Sequence, residues 1–417
     1  MHHRLLLLML MAAPLVGCQT PLRPWSPDTA ALLATSRAGA ARLIVSAPGL
    51  SEAALTTLAT RHRLRLVAHL DPLGCAVMGL AGADAADLEQ LQREPAVRYV
   101  ERDVAGTFSD TGRLKTEGPS DPLYADQWDM QRMHAPEAWE VRDGSDHTIV
   151  ALLDTGIDRD HPELASKLVE GLNVPSPQDP PEDDLGHGTA TAGIVGAVAN
   201  NGTGLVGVAP RALLMPVKVN VPHTGSVRAA DAASGLVWAV DHGANVVNMS
   251  LGFTEGEDGL TSDGLKTLRS AVAYALDKGV MVVCAAGNIA SRPVTSYPAA
   301  WAGSEGFEGL LAVGATDRAD RRAAYSNYGP WLSVVAPADD IPALSIGGYG
   351  RFGGTSAAAP HVSGLAALLV TPSRPPSLKT LCSWIVGTAR DVGPAGRDAQ
   401  YGAGVVDALA AVQASTR

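Results

Sequence analysis

The run Thr148-Ile149-Val150-Ala151-Leu152-Leu153 is short and almost wholly apolar, and it stops at Asp154-Thr155-Gly156, a carboxylate followed by a glycine turn. Apolar residues without polar alternation mark a strand covered on both faces, as parallel strands are beneath their crossover helices. Working outward, Leu213–Val219, Ala244–Ser250, Val280–Ala285 and Gly309–Ala315 share this character. Between them lie the helical stretches Thr189–Val198, Ala229–Asp241, Gly264–Asp277 and Ser356–Leu369. Such alternation predicts an α/β fold over residues 121–417, a mainly parallel sheet with helices on both faces.

Upstream, Arg42–Ala47, Leu64–Leu70, Cys75–Leu80 and Val97–Val100 read as strands, and Ser51–Arg61 and Asp84–Arg93 as helices. Ser51 stands where a cap is needed, with Leu55, Leu58 and His62 on one face of the helix it opens. The order β-α-β-β-α-β over residues 41–104 is that of a small ferredoxin-like α+β unit. Ala105–Ser120 is polar, holds three glycines and shows no apolar period, so it reads as an exposed, protease-sensitive linker.

At the N-terminus, Arg4 precedes the apolar stretch Leu5–Val16, too short to span a bilayer but suited to the core of a signal peptide. It ends in Leu15-Val16-Gly17-Cys18, which resembles a bacterial lipobox, in which the cysteine is lipidated and becomes the new N-terminus. Residues 1–18 are therefore a leader, with Cys18 the lipidation site, and 19–40 a linker. Export is expected. The spacing of Cys75, Cys284 and Cys382 matches no zinc or disulfide framework, and buried free thiols are expected at 284 and 382.

A chain of 417 residues has room for one large domain and a smaller one. Its net charge of −11, without any cluster of Lys and Arg, excludes a nucleic-acid surface. No run of 18 apolar residues occurs, so contact with a membrane is expected only through the lipid. A monomer is expected.

Three segments fall where an open parallel sheet collects its functional groups, beyond the carboxyl ends of strands. They are Ala151–Gly156 with Asp154, Gly186-His187-Gly188-Thr189, and Gly353-Gly354-Thr355-Ser356 at the head of an apolar helix. Taken singly, each reads as a cap or a turn. Together, in the order Asp, His, Ser, the sequence resembles the subtilisin-like (subtilase) serine protease family from about Asp121 to the C-terminus. Leu153-Asp154-Thr155-Gly156-Ile157-Asp158 with His161-Pro162, then Gly186–Thr189, then Gly354–Gly364 resemble its three boxes, and Arg42–Val104 resembles its propeptide. Ala190 stands where a second His is usual, and Ala357 where a Met commonly follows the nucleophile.

The resemblance implies roles. Ser356 attacks the peptide carbonyl, His187 takes and returns its proton, and Asp154 orients the imidazole. Ala285-Ala286-Gly287-Asn288 resembles the oxyanion loop, with Asn288 as a donor. Ser250-Leu251-Gly252 and Thr224-Gly225-Ser226 resemble the two edges that take an extended peptide as an added strand. Ala285, Ala286, Gly287 and Leu251 are small or apolar walls that suit a large uncharged side chain. The loop Val198–Leu205 resembles the calcium loop of thermophilic members, and Asp121, Glu163, Val198, Asn201, Thr203 and Leu205 would supply oxygen ligands to Ca²⁺. The family more often has Asp where Glu163 stands. The propeptide would act as an intramolecular inhibitor until self-cleavage within Ala105–Ser120, and the partners would be protein or peptide substrates. An esterase of the α/β-hydrolase type is excluded, because Ser356 lies in Gly-Thr-Ser-Ala-Ala with its partners upstream. A catalytically inactive envelope protein using the same cleft for binding is the rival reading.

Overall fold

The computed structural model describes residues 42–108, 123–257, 260–290 and 294–416. Residues 1–40, which include the expected leader and Cys18, and Asp121 and residues 109–120 lie outside the described residues.

The N-terminal unit runs β1 (Arg42–Ser46), helix Glu52–Arg61, β2 (Leu64–Leu70), β3 (Cys75–Leu80), helix Ala85–Gln92 and β4 (Tyr99–Arg102). Its sheet order is β2-β3-β1-β4, with every neighbour antiparallel. Ser51 accepts from the Ala54 amide at 3.3 Å, and Asp84 and Asp87 close a capping box, so both helices start where their sequences ask. Leu43, Val45, Leu55, Leu58, Leu88 and Leu91 fill the core between helices and sheet. The last strand begins later than its apolar pattern. Val97 closes a turn by donating to the Glu94 carbonyl, so pairing with β1 starts at Tyr99 opposite Ser46.

The 105–120 stretch is not all linker, because Ala105–Phe108 is a strand, β5. Nothing in its own pattern announces it, since its pairing partners lie far along the chain. They come after β6 (Ile149–Asp154), β7 (Leu172–Asn173) and β8 (Leu213–Lys218), and are β9 (Ser226–Arg228) and, beyond β10 (Val246–Met249), β11 (Leu251–Thr254). β5 lies antiparallel between the two.

The chain continues through β12 (Met281–Ala285), β13 (Ser296–Tyr297), β14 (Leu310–Thr316), β15 (Val334–Pro337) and the hairpin β16 (Ile341–Ser345) and β17 (Gly348–Phe352). The seven-stranded sheet has the order β15-β14-β12-β10-β6-β8-β7, and all its described pairs are parallel. Alternate residues of β6 serve opposite layers, as a pleated strand requires. Val150 and Leu152 pack with helices His187–Gly196 and Thr355–Leu369, whereas Ala151 and Leu153 pack with helices Ala229–Asp241 and Lys266–Asp277. Cys284 is buried in the second layer, where desolvation pushes its thiol well up and keeps it protonated. Cys382 is partly buried in helix Leu378–Val386, its thiol pushed up to about 11 by burial.

Two carboxylates of the N-terminal unit cap helices of the larger part. Glu101 accepts from the amides of Lys266 (2.9 Å) and Thr267 (3.0 Å), and Asp103 from that of Ala230 (2.8 Å). Both meet the positive end of a helix, where orphan N–H groups favour an anion. Arg42 bridges Asp103 and Asp231 across the junction.

Candidate active site

β6 carries Asp154 at its carboxyl end, fully buried. Its Oδ1 accepts from the Thr155 amide at 2.8 Å and lies 2.7 Å from His187 Nδ1, and its Oδ2 accepts from the Thr191 hydroxyl at 3.2 Å. A buried carboxylate against one ring nitrogen keeps the proton on that nitrogen, which leaves Nε2 to accept.

His187 begins its helix because Gly186 turns the chain through φ 86°, a conformation L side chains avoid. Gly188 then lets the helix close on the end of β6. A Cβ there would stand 1.9 Å from the Gly156 carbonyl oxygen. Asp183 ties this turn together, accepting from the amides of Leu185, Gly186 and Thr189 and from the Thr155 hydroxyl. The Phe352 ring meets the imidazole edge-on, with centroids 5.1 Å apart at 83°.

Ser356 is buried in the first turn of helix Thr355–Leu369, which packs against the helix bearing His187. Its hydroxyl donates to the Ser250 carbonyl at 3.2 Å. Asn288 follows β12, and its Oδ1 accepts from both the amide and the hydroxyl of Thr355, each at 2.9 Å. That leaves Nδ2 buried with no hydrogen-bond partner among the described residues. A buried donor without a partner is costly unless a ligand supplies one. Ala190 and Ala357, the two departures from the family boxes, are buried in the layer shared by the two helices.

The predicted substrate edges divide. Leu251 and Gly252 lie in β11, opposite Phe108 and Thr107 of β5. On the other side the edge is Ser226–Arg228, which contains only the last residue of the Thr224-Gly225-Ser226 segment. Thr224 is turned back on its own loop, its hydroxyl donating to the Val221 carbonyl. Ala285 and Ala286 are buried with their methyls in hydrophobic clusters, and the Gly287 amide donates to the Thr355 hydroxyl at 3.0 Å.

Of the residues offered as metal ligands, Glu163, Asn201 and Thr203 come together. The buried Glu163 carboxylate accepts from Asn201 Nδ2 (2.8 Å), the Thr203 hydroxyl (3.2 Å) and the Tyr349 hydroxyl (3.0 Å). The Val198 amide donates to the Glu163 main-chain carbonyl at 3.1 Å, and Leu205 is buried in the core. Among the described residues no group of three or more His, Cys, Asp or Glu side chains converges.

The sequence reading missed Thr155, Thr191, Asp183, Thr355 and Phe352. Thr191 carried a signal, because it stands one turn after His187 and so shares its helix face. Phe352 carried none, since its contact with His187 is wholly tertiary. Taken together, a buried carboxylate–imidazole pair, a hydroxyl at a helix N-terminus and a spare amide donor suit nucleophilic acyl transfer, in which an oxyanion forms and a leaving group needs a proton.

Comparison with known proteins agrees with this chemistry. The profile of the Subtilase family matches residues 145–404. A thermophilic serine proteinase of Bacillus sp. (strain AK1) is 39% identical over 291 residues, covering 69% of this chain and 67% of that protein. Thermitase of Thermoactinomyces vulgaris is 37% identical over 297 residues, covering 71% of this chain and 99% of that protein. Fervidolysin from Fervidobacterium pennivorans, a keratinolytic enzyme related to subtilisin, superimposes with a TM-score of 0.73 at 26% identity, covering 89% of this chain and 61% of that one. With its parallel sheet, its acyl-transfer site and these relatives, the chain belongs to the subtilase family and is a subtilisin-like serine endopeptidase.

Proposed function

We propose that the protein is an exported proenzyme that cleaves itself and then its substrates, using Ser356 as nucleophile, His187 as general base and acid, and Asp154 as the group that orients the imidazole. Asn288 Nδ2 and the Ser356 amide receive the oxyanion. The observation that carries this reading is the position of β5. It enters between β9 and β11 as an extended peptide substrate would, with main-chain pairing on both sides.

The register supports a narrower processing region. Thr107 stands opposite Gly252 and Phe108 opposite Leu251, and the next residue of that edge is Ser250, whose carbonyl accepts from the Ser356 hydroxyl. Cleavage therefore falls C-terminal to Phe108 and not within Ala105–Phe108. Purified enzyme that degrades casein should have a mature N-terminus between residues 109 and 121 by intact mass and N-terminal sequencing. A mature chain that begins before Ser109 would refute this, and a folded protein with neither casein hydrolysis nor processing would favour the binding-module rival.

In this reading residues 42–104 are the propeptide, and lipid on Cys18 anchors the propeptide alone. The mature enzyme then stays at the membrane only through docking contacts such as those of Glu101 and Asp103. Burial at the junction pushes the Glu101 carboxyl from its ordinary 4.5 up to about 7, against the amides of Thr267 and Lys266 and the charge of Lys266. A docked pKa above the free one means that docking takes up a proton. The Glu101 contribution is thus present in full below pH 4.5 and is lost as pH rises through 7. Capture of the processed complex on a tagged propeptide should retain more catalytic domain at pH 5 than at pH 8, and Glu101→Gln should flatten that profile. Equal retention at both values would contradict it.

Calcium extends the proposal. The carboxylate of Glu163, the hydroxyl of Thr203 and the amide of Asn201, turned to present its oxygen, with main-chain carbonyls of the Val198–Leu205 loop, form a donor set of hard oxygens suited to Ca²⁺. A bound ion would brace this loop and take no part in the chemistry. Chelator should lower the thermal midpoint, added Ca²⁺ should restore it, and Glu163→Ala should abolish the response. A midpoint indifferent to chelator would rule out a bound ion.

A further inference from the structure

Helix Thr355–Leu369 contains Pro360, which has no N–H to give the carbonyl four residues earlier, and that carbonyl belongs to Ser356. The residue that bears the nucleophile therefore has a main-chain acceptor that its own helix cannot satisfy. Ser250 fills the gap, its hydroxyl donating to the Ser356 carbonyl at 3.0 Å. The Ser356 hydroxyl in turn donates to the Ser250 carbonyl at 3.2 Å. Both ends of Ser356 are thus referred to one residue.

A serine hydroxyl has a single proton and rotates to suit its neighbours, so something must choose where Ser250 sends it. Asn248 makes that choice. Its Nδ2 donates to the Ser250 oxygen at 2.9 Å, which occupies a lone pair there and leaves the proton free to face Ser356. The amide cannot turn over without loss, because its Oδ1 accepts from the Ser363 hydroxyl at 2.9 Å. Ser363 lies two turns beyond Ser356 on the same helix and shares its proton with the Ala359 carbonyl at 3.2 Å. Asn248, Ser250, Ser356 and Ser363 are all fully buried, so water does not substitute for a missing partner.

We propose that Asn248 is a positioning residue for the nucleophile, acting through the Ser250 hydroxyl on the backbone carbonyl of Ser356. The proposal rests on the reading of Ser356 as nucleophile. Asn248 is fully buried and meets Ser250, not the Ser356 side chain. It sets the donor direction of Ser250 and thereby the pose of the residue that attacks. Small displacements of a reacting group cost rate and leave ground-state binding by the peptide edges largely intact.

The test compares Asn248→Asp with wild type. Aspartate keeps the shape but replaces the donor by an acceptor, which draws the Ser250 proton away from Ser356. We expect kcat to fall about tenfold or more with KM within about twofold, and the rate of fluorophosphonate labelling of Ser356 to fall in step. In a Ser250→Ala background the same change should cost little more, because its route to Ser356 is already gone. Equal losses in both backgrounds, or an unchanged kcat, would overturn the proposal and leave Asn248 a core residue. If Asn248→Asp does not fold, Ser363→Ala carries the test. It frees the Asn248 amide to turn and should lower kcat only while Ser250 is present, and an unchanged kcat there overturns the proposal equally. Wild-type enzyme that is never labelled at Ser356 sinks the assignment of the nucleophile itself, whereas labelled wild type with unaffected variants sinks only the role of Asn248.

Discussion

Ser356→Ala should accumulate as a full-length precursor with no measurable proteolysis, a loss of about 10⁶ in kcat, the scale known for triad removal in subtilisin. The size of the effect follows from the chemistry. A neutral hydroxyl attacks poorly, and the imidazole of His187 can help only if there is a proton to take and an oxygen to bond. Alanine removes both, and a water placed in the gap lacks the fixed approach that the Ser250 carbonyl gives the serine oxygen. The side chain is small and fully buried, so the fold survives the change. Intact mass of the expressed protein reads the outcome, because the proposed self-cleavage cannot proceed without its nucleophile. A variant that still matures, in a host stripped of other proteases, would show that processing does not need Ser356.

The second large effect concerns the oxyanion. Asn288→Ala should lower kcat by roughly 10²–10³ and leave KM nearly unchanged, again the scale known for such a donor in subtilisin. Thr355 holds the amide oxygen with two hydrogen bonds, so Nδ2 is oriented before any substrate arrives. A donor aimed in advance needs no reorganisation when charge develops, which is why its loss appears in the transition state and not in binding. The variant should also process itself more slowly. Steady-state kinetics on a chromogenic peptide separate the two constants. A rise in KM with kcat intact would mean that Asn288 serves the ground state.

Much of the architecture was legible because the central strands are covered on both faces. β6, β8, β10, β12 and β14 are predominantly apolar, and their predicted bounds differ from the observed ones by only a residue or two. Helix Ala229–Asp241 was read to the residue. The β16–β17 hairpin was missed because Gly347, Gly348 and Gly350 dilute its apolar pattern, and β7 because two residues make no pattern at all. β5 is the instructive case. Its four residues pair with edges more than a hundred positions away, so no local signal marks them.

The candidate site divides along the same line. Asp154, His187, Ser356 and Asn288 stand in local motifs, where glycine turns and strand ends leave a trace in sequence. The residues that hold them do not. Thr355 reaches Asn288 across 67 positions, and Ser363 reaches Asn248 across 115. Those contacts exist only once the fold has brought the two distant segments together. The oxygen ligands offered around Glu163 illustrate the limit from the other side. The side chains of Asn201 and Thr203 do meet Glu163, yet no local pattern pointed to the Tyr349 hydroxyl that joins them.

In the proposed mechanism one serine hydroxyl, activated by a buried imidazole, performs the hydrolysis. Reacting the purified enzyme with a fluorophosphonate and locating the adduct by tandem mass spectrometry tests it most directly. A single adduct on Ser356 is expected, formed in step with the loss of casein hydrolysis. An adduct on another residue, or full hydrolysis by enzyme labelled to completion at Ser356, would contradict it.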